Sequence, residues 1–542
     1  MTNLYDLEWE NIHSHSHYSN IMTPDSVIKT EDLAKRAVAM GQKTISTVEH
    51  GYFGSIFDYY ETAQEYGLKL IFGIEYYFVK DRFEKDRTNS HLLVVAKNEE
   101  GRREMTSIMS EANKTGFFYH PRIDEELLFS LTPENVIVTT ACLSSPLNSY
   151  SEDEAMRFLS KAKEHFGDNF YIEVQPHTNI KQVEFQRKIL KYNREFNFPL
   201  ILGVDSHYIK LEDDEIRDLF LKGKNIHYPA EDGFTMDYPD ITDIVKRLKL
   251  QGVLTDAQIE EAITNTLIVR DFEGVSLDKK IKMPSLYPDK SHEEKMDILK
   301  GIINESWAED RKEIPKERWG EYLEAIREEV KIIEDTKMED YFLLNHAIIK
   351  RAVEEYDGVI TSTGRGSAPS FYVNKLLGLT DIDRVSAPIT LYPTRFMSKS
   401  RILETVSLPD IDFNLADPEP FRRASKDILG EDNSDWMVAY GTMQESSAFK
   451  NYARSVGIDY NEANQVSDDL DRYKNDKRWG EAIEASSVFR GVIDSVAPHP
   501  CANLLLPSDN ISETTGIIKV KDEFVTLITS NESDDYKYLK ND

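Results

Sequence analysis

Seven short apolar runs recur through residues 1–210: NIHSH at 11, TISTV at 44, LIFGIEYYF at 70, HLLVV at 91, VIVTT at 136, FYIEV at 170 and LILGV at 200. Helical patterns such as DLAKRAVAMG separate them. Strands of this length alternating with helices predict parallel β/α construction of a barrel-like kind. In such sheets functional polar groups gather at strand ends, and here histidine, aspartate and glutamate lie in or beside the runs.

A chain of 542 residues exceeds one ordinary core, so further domains follow. Residues 211–285 look mainly helical, and the basic, proline-bearing DKKIKMPSLYP puts a boundary near 285. A second helical block leads into FLLNHAIIKRAVEEYDGVITSTGRGSA, which reads as helix, strand and glycine-rich turn. Residues 421–495 read as helical and highly charged, and 496–527 return to short strands such as ANLLLP and FVTLIT. The strand before 420 and those after 495 are expected to share a sheet, with the helical segment inserted between them.

With 65 basic against 96 acidic residues the net charge is −31, which argues against unaided, tight binding of a polyanion. It argues less against an enzyme whose acidic groups hold divalent cations, because those ions reverse the local field. Cys142 and Cys501 cannot build a disulfide framework. With neither a signal-like start nor an apolar run of membrane length, a cytoplasmic location and no membrane partner are expected.

In IHSHSHYS, His13 and His15 are two apart and share a face if extended; Asp205 and His207 repeat the arrangement in GVDSHY. Between them lie His50, Glu75, His91 and Cys142. Imidazole, carboxylate and thiolate are the donors that bind zinc or manganese. Taken singly, a histidine or glutamate at a strand end is more often a hydrogen-bonded structural group, and the sequence does not show that these positions meet. His17 reads as a neighbour, since three alternating histidines rarely all bind.

Farther on, VSLPDIDFN puts Asp410 and Asp412 two apart, side by side if the segment is extended. Such a pair can hold two magnesium ions, although an isolated DxD is more often a solvent-facing turn. In STGRGSA, Gly364 and Gly366 permit close backbone approach, Arg365 can meet phosphate and Ser367 can donate a hydrogen bond. The GK[ST] ending of P-loop ATPases is absent.

GRGSAPSF, LLGLTDIDR, TRFMSKSRILETVSLPDIDF and YGTMQESSAFKNYAR follow one another in the order of the motifs of family C bacterial replicative DNA polymerases, which the chain resembles. The first 285 residues resemble the polymerase and histidinol phosphatase (PHP) domain that opens those enzymes. HSHSHYS, TVEHGY, FGIE, TACL and VDSHY match its ligand motifs, and Asp25 fills the acidic position after the first motif once a short insertion is allowed.

The resemblance implies an α/β fold: a PHP-type seven-stranded β/α barrel over 1–285, a nucleotidyltransferase-like palm over 286–420, a helical thumb over 421–495 and the rest of the palm over 496–542. It implies His13, His15, Asp25, His50, Glu75, His91, Cys142, Asp205 and His207 as ligands of zinc or manganese for 3′–5′ exonuclease proofreading. Asp410 and Asp412 become the magnesium-binding carboxylates of nucleotidyl transfer. Gly364, Arg365, Gly366, Ser367, Arg395, Arg401, Lys450 and Arg454 become nucleotide or DNA contacts. Primer-template DNA and dNTPs are the implied substrates.

The sequence departs from the family where Pro369 and Asn414 replace a small and an acidic residue. The family's third catalytic carboxylate lies in a segment like LVKFDFLGL, which has no match before Asp542; Asp534, Asp535 and Asp542 lie in a hydrophilic stretch instead. A C-terminal polymerase half or partner chain is therefore expected to supply it, as in a truncated, split or phage-encoded enzyme, and replisome proteins are expected partners. A stand-alone metal phosphoesterase and a catalytically silent architectural subunit are the alternatives.

Overall fold

Polar caps start the helices and apolar spacing decides which face they bury. Ser151 caps Glu152–Phe166 and exchanges hydrogen bonds with Glu154, while Gly167 ends the helix at φ 58°. Its buried residues, Ala155, Phe158, Leu159, Ala162 and Phe166, recur at three- and four-residue spacing, which turns one stripe inward. The structure, a computed structural model, describes residues 3–361, 366–404, 408, 409, 413, 415–507 and 510–541. Among these no helix is long and apolar enough to cross a membrane.

The chain is mixed α/β and divides into two units: residues 1–277, 440–497 and 516–521 form one, and 278–439, 498–515 and 522–542 the other. The first unit holds a six-stranded sheet in the order Arg122–Ile123, Gly73–Phe78, Ser90–Ala96, Val136–Thr139, Phe170–Val174, Leu200–Leu202. Thr44–Ser46 and Lys69–Ile71 pair in parallel beside it. The run NIHSH forms no extended strand; it contributes one bridge, Ser14 to Ser206. Ile12, Val48, Ile71, Leu93, Ile137 and Ile201 nevertheless meet in one buried cluster, so both sheets enclose a common core.

The expectation of an all-parallel sheet is corrected at Ser90–Ala96, which runs antiparallel to Gly73–Phe78 and to Val136–Thr139. Residues 79–89, which join the first two of these strands, contain no helix, and without a helical crossover the chain returns antiparallel.

The second unit packs His292–Asp310, Trp319–Thr336 and Glu339–Tyr356 around a core that includes Leu299, Ile303, Trp307, Ile333 and Leu344. The all-helical reading of 421–495 is corrected too. After Glu419–Leu429 the chain forms the strand Ser434–Thr442, because the continuous apolar run WMVAY suits a buried strand, and helices resume at Glu445–Ser455. Within this unit Val525 pairs in parallel with Trp436, and Asn503 antiparallel with Asn541.

Candidate functional site

Strands of the first unit and the loops beside them bring all nine nominated metal-binding side chains together. Four overlapping groups form: His13, His15 and Asp205; His15, His50 and Glu75; Asp25, His50 and His207; Glu75, His91 and Cys142. In each, the donor atoms lie within 4.8 Å of one another. Bridges at Ser14–Ser206 and His50–Glu75 set the register that makes these side chains converge. Asp205 and Ala141, next to Cys142, hold left-handed backbone at φ 47° and 52°, which for alanine is a strained conformation.

Glu75 is the hub. Its carboxylate accepts from His50 Nδ1 at 2.7 Å and lies 3.1 Å from His91 Nδ1, 3.3 Å from His13 Nε2 and 3.6 Å from His15 Nε2. Asp25 accepts from His50 Nε2 at 2.6 Å and faces His207 Nδ1 at 3.2 Å. Asp205 Oδ1 lies 3.3 Å from His13 and 3.2 Å from His207. His15 stacks between His50 and His207, with ring centroids 4.1 and 4.7 Å away.

Burial resists charge here, and pairing overrides it at six groups but not at His15 or Cys142. Asp25, Glu75 and Asp205 stay well below the ordinary carboxylate range because imidazoles face them. His13 and His50 are raised by the same pairing, and His207 reaches about 9. His15 falls to about 3, through burial and then His50. Burial, then Glu75 and Asp205, push the Cys142 thiol well up.

The donor set suits divalent cations. His13 Nε2, His15 Nε2, His207 Nδ1, Asp25 Oδ1 and Glu75 Oε1 are sealed from solvent without a hydrogen-bond partner among the described residues. Buried polar atoms are ordinarily paired, and a cation would satisfy these.

Supporting residues escaped the sequence reading. Glu173 is fully buried and accepts from His13 Nδ1 at 2.7 Å, from Thr139 Oγ1 at 2.5 Å and from Gln175 Nε2 at 2.9 Å, which turns His13 Nε2 toward Glu75 and Asp205. This is the carboxylate–histidine arrangement that orients metal ligands. The available signal was a glutamate inside FYIEV, a strand buried on both faces. Glu49 likewise takes hydrogen bonds from Ser16, Ser19 and Tyr59, while burial pushes it up to about 7. His17 lies outside the four groups and its Nδ1 accepts from the Ile493 amide.

The other motifs divide between the units. Gly364, Arg365, Asp410 and Asp412 lie outside the described residues. Their flanks pair: Ile360 bridges Leu415 antiparallel, and the Ala416 amide donates to Val359 O at 2.9 Å. Pro409, immediately before Asp410, accepts from the buried Tyr341 hydroxyl at 2.7 Å. Gly366 takes φ 69°, open to glycine, and Ser367 accepts the Ser370 amide through its carbonyl. Arg395 is exposed and Arg401 half-buried. Lys450 and Arg454 lie on Glu445–Ser455 in the first unit, where Arg454 donates to Gly223 O at 2.7 Å. Asp534 and Asp535 end the helix Ser530–Asp535, and Lys540 pairs with Asp534.

Residues 11–177 match the PHP domain model and residues 298–542 the bacterial DNA polymerase III alpha NTPase domain model. The DNA polymerase III subunit alpha of Aquifex aeolicus (strain VF5) is 27% identical over 497 residues, 85% of this chain and 41% of the relative. The subunit of the same name from Helicobacter pylori (strain ATCC 700392 / 26695) is 27% identical over 84% of the chain and 39% of the relative. That from Borreliella burgdorferi is 28% identical with the same coverage. The chain spans about two fifths of the length of these curated relatives. Both domain models thus match within one chain, which over 84–85% of its length is similar to bacterial DNA polymerase III alpha subunits.

Proposed function

We propose that the chain is part of the catalytic subunit of a DNA-directed DNA polymerase that joins dNTPs to a primer 3′-hydroxyl and proofreads through a 3′–5′ exonuclease in its PHP domain. The observation that carries the nuclease half is the convergence of nine donors in four overlapping groups. Zinc or manganese bound there supplies Lewis acidity at a phosphodiester. The chain's own contribution is orientation: Glu173 turns His13, and Glu75 and Asp25 fix His50 from both ring nitrogens.

For the polymerase half, Asp410 and Asp412 hold magnesium in a palm, with the GRGS turn and Arg395, Arg401, Lys450 and Arg454 at nucleotide or DNA. The pairing of Ile360 with Leu415, which flank the two motifs, supports a shared site. The first unit's common core supports a PHP barrel, and the helices from Glu445 onward a thumb. A third carboxylate comes from length that the relatives have beyond the match, or from a partner chain.

Labelled primer-template tests both halves. Manganese-dependent shortening lost in His13→Ala/His15→Ala but kept in Asp410→Ala/Asp412→Ala supports the nuclease; extension with dNTPs lost only in the aspartate variant supports the polymerase. Hydrolysis of small phosphate esters without primer shortening would favour the second reading, a stand-alone phosphoesterase, to which the completeness of the metal centre within one unit lends weight.

A further inference from the structure

Beside the metal centre, and unused by it, residues 116–120 (GFFYH) present aromatic rings to solvent. Tyr119 is 58% exposed and holds left-handed backbone at φ 64°, which is disfavoured for a large aromatic residue. Arg87 braces it: the guanidinium carbon lies 4.4 Å from the ring centroid and an N–H donates to the phenol oxygen. Phe118 meets Tyr119 edge-on at 4.9 Å. Arg122 is buried and donates to carbonyls of Gly116, Arg82 and Asp86, which ties this loop to the one carrying Arg87.

Inward, the aromatic surface continues. His120 stacks on Tyr77 at 4.3 Å, and Tyr77 meets His91 edge-on at 5.3 Å. All three line a cavity of about 300 Å³ that also contains His50, Glu75 and Cys142. His120 Nδ1 is sealed from solvent with no hydrogen-bond partner among the described residues. This volume lies at the lower end for small-ligand sites and suits one nucleotide rather than a base pair.

Every nucleic-acid base has a π-face, and an arginine beside an exposed ring adds positive charge to a stacking surface. We propose that Tyr119 and Arg87 form an entry platform for single-stranded DNA, with a base stacked on Tyr119 and the strand's terminal nucleotide in the cavity lined by His120 and Tyr77. The proposal rests on the nuclease reading above for the occupant of that cavity. On a chain of net charge −31, a local aromatic platform explains how a polyanion is held without a broad basic surface.

Fluorescence anisotropy of a labelled oligothymidylate, at low salt with calcium and the full chain, tests it. Tyr119→Ala weakens binding roughly 5- to 100-fold, and Tyr119→Phe retains it. Tyr5→Ala, at an exposed tyrosine elsewhere, leaves it unchanged. Manganese-dependent hydrolysis of bis(para-nitrophenyl) phosphate, too small to span cavity and platform, is unchanged in Tyr119→Ala. Wild-type affinity in Tyr119→Ala, or no binding by the wild type, overturns the proposal. Loss of binding in Tyr119→Ala while the wild type hydrolyses no ester keeps the platform and sinks the nuclease; ester hydrolysis with binding unaffected by Tyr119→Ala does the reverse.

Discussion

The two units handle polar chemistry in opposite ways. The first gathers imidazoles, carboxylates and a thiol into one largely buried cluster in which carboxylates face charged imidazoles before any ion is considered. In the second, the described residues nominated for phosphate contact, Gly366, Ser367, Arg395 and Arg401, are exposed or half-buried, and the buried charges there serve packing instead. A site that stores its charges inside the fold constrains stability, metal affinity and pH response together. A site whose charges await a charged substrate constrains little but turnover. Substitutions separate the two cases.

The largest effect is expected at Glu75, the carboxylate that faces His13, His15, His50 and His91. Glu75→Gln takes one counter-charge from the raised His13 and His50, and removing one partner of a buried pair costs about 3–5 kcal/mol. Urea unfolding of the metal-free chain measures this loss. Unchanged stability would mean that the cluster is not ion-paired without metal, and the contrast between the units would weaken.

The same cluster sets a pH dependence. Burial opposes charge on His207, but Asp25 and Asp205 lift its pKa from 6.5 to about 9. A histidine raised in the fold adds stability that is complete below pH 6.5 and is lost as pH rises through about 9. Asp25, Glu75 and Asp205 are depressed, so their contribution is present above roughly pH 4 and disappears on acidification. Zinc must displace the imidazole protons, so its affinity climbs over the interval in which metal-free stability declines. Unfolding curves with chelator and with zinc across this range test both trends; a metal-free stability that increases toward pH 9 would refute the ion-paired description.

Much of this centre was legible because its donors are chemically unusual and recur as HxH and DxH, which the bridge between Ser14 and Ser206 brings side by side. Asp25 was legible only through the resemblance, since a 3-10 turn over His17–Ile21 and the loop after it separate it from the first motif. Glu173 was missed because a single glutamate in an otherwise apolar strand gives no sign of which histidine it orients. The antiparallel return at Ser90–Ala96 was available in the short helix-free connection, and the strand Ser434–Thr442 in WMVAY, but neighbouring charge and helical periodicity hid both.

Glu173 sharpens the comparison at intermediate size. Glu173→Gln keeps the shape but weakens the charge-assisted bond to His13, and loss of such a supporting carboxylate typically lowers metal affinity 10- to 100-fold. Competition with a chromogenic zinc chelator reads it directly. Gly203→Ala should act through the same carboxylate, because an added Cβ would come within 1.9 Å of Glu173 Oε1 and that side chain has no solvent to retreat into. Full zinc affinity in both variants would remove Glu173 from the centre.

The smallest effect separates two arginines of the second unit that motif reading cannot rank. Arg384 lies over Glu329, whose carboxylate also accepts from the Tyr372 amide at 2.9 Å and the Val373 amide at 2.7 Å, so the pair pins the chain just after the glycine-rich motif. Burial pushes Glu329 up to about 7 against the pull of Arg384 and those amides. Arg384→Ala therefore destabilises the chain less than Glu75→Gln does, because the stranded carboxyl, freed of the charge that lowers its pKa, takes up a proton. Arg395 is exposed on the turn Pro393–Arg395, and its truncation should change stability by no more than about 0.5 kcal/mol while lowering primer extension. Denaturation and extension measured on the same two variants decide the matter. If Arg395→Ala proved as destabilising as Arg384→Ala, its charge would belong to the fold rather than to a substrate, and the second unit would resemble the first more closely than its exposed residues imply.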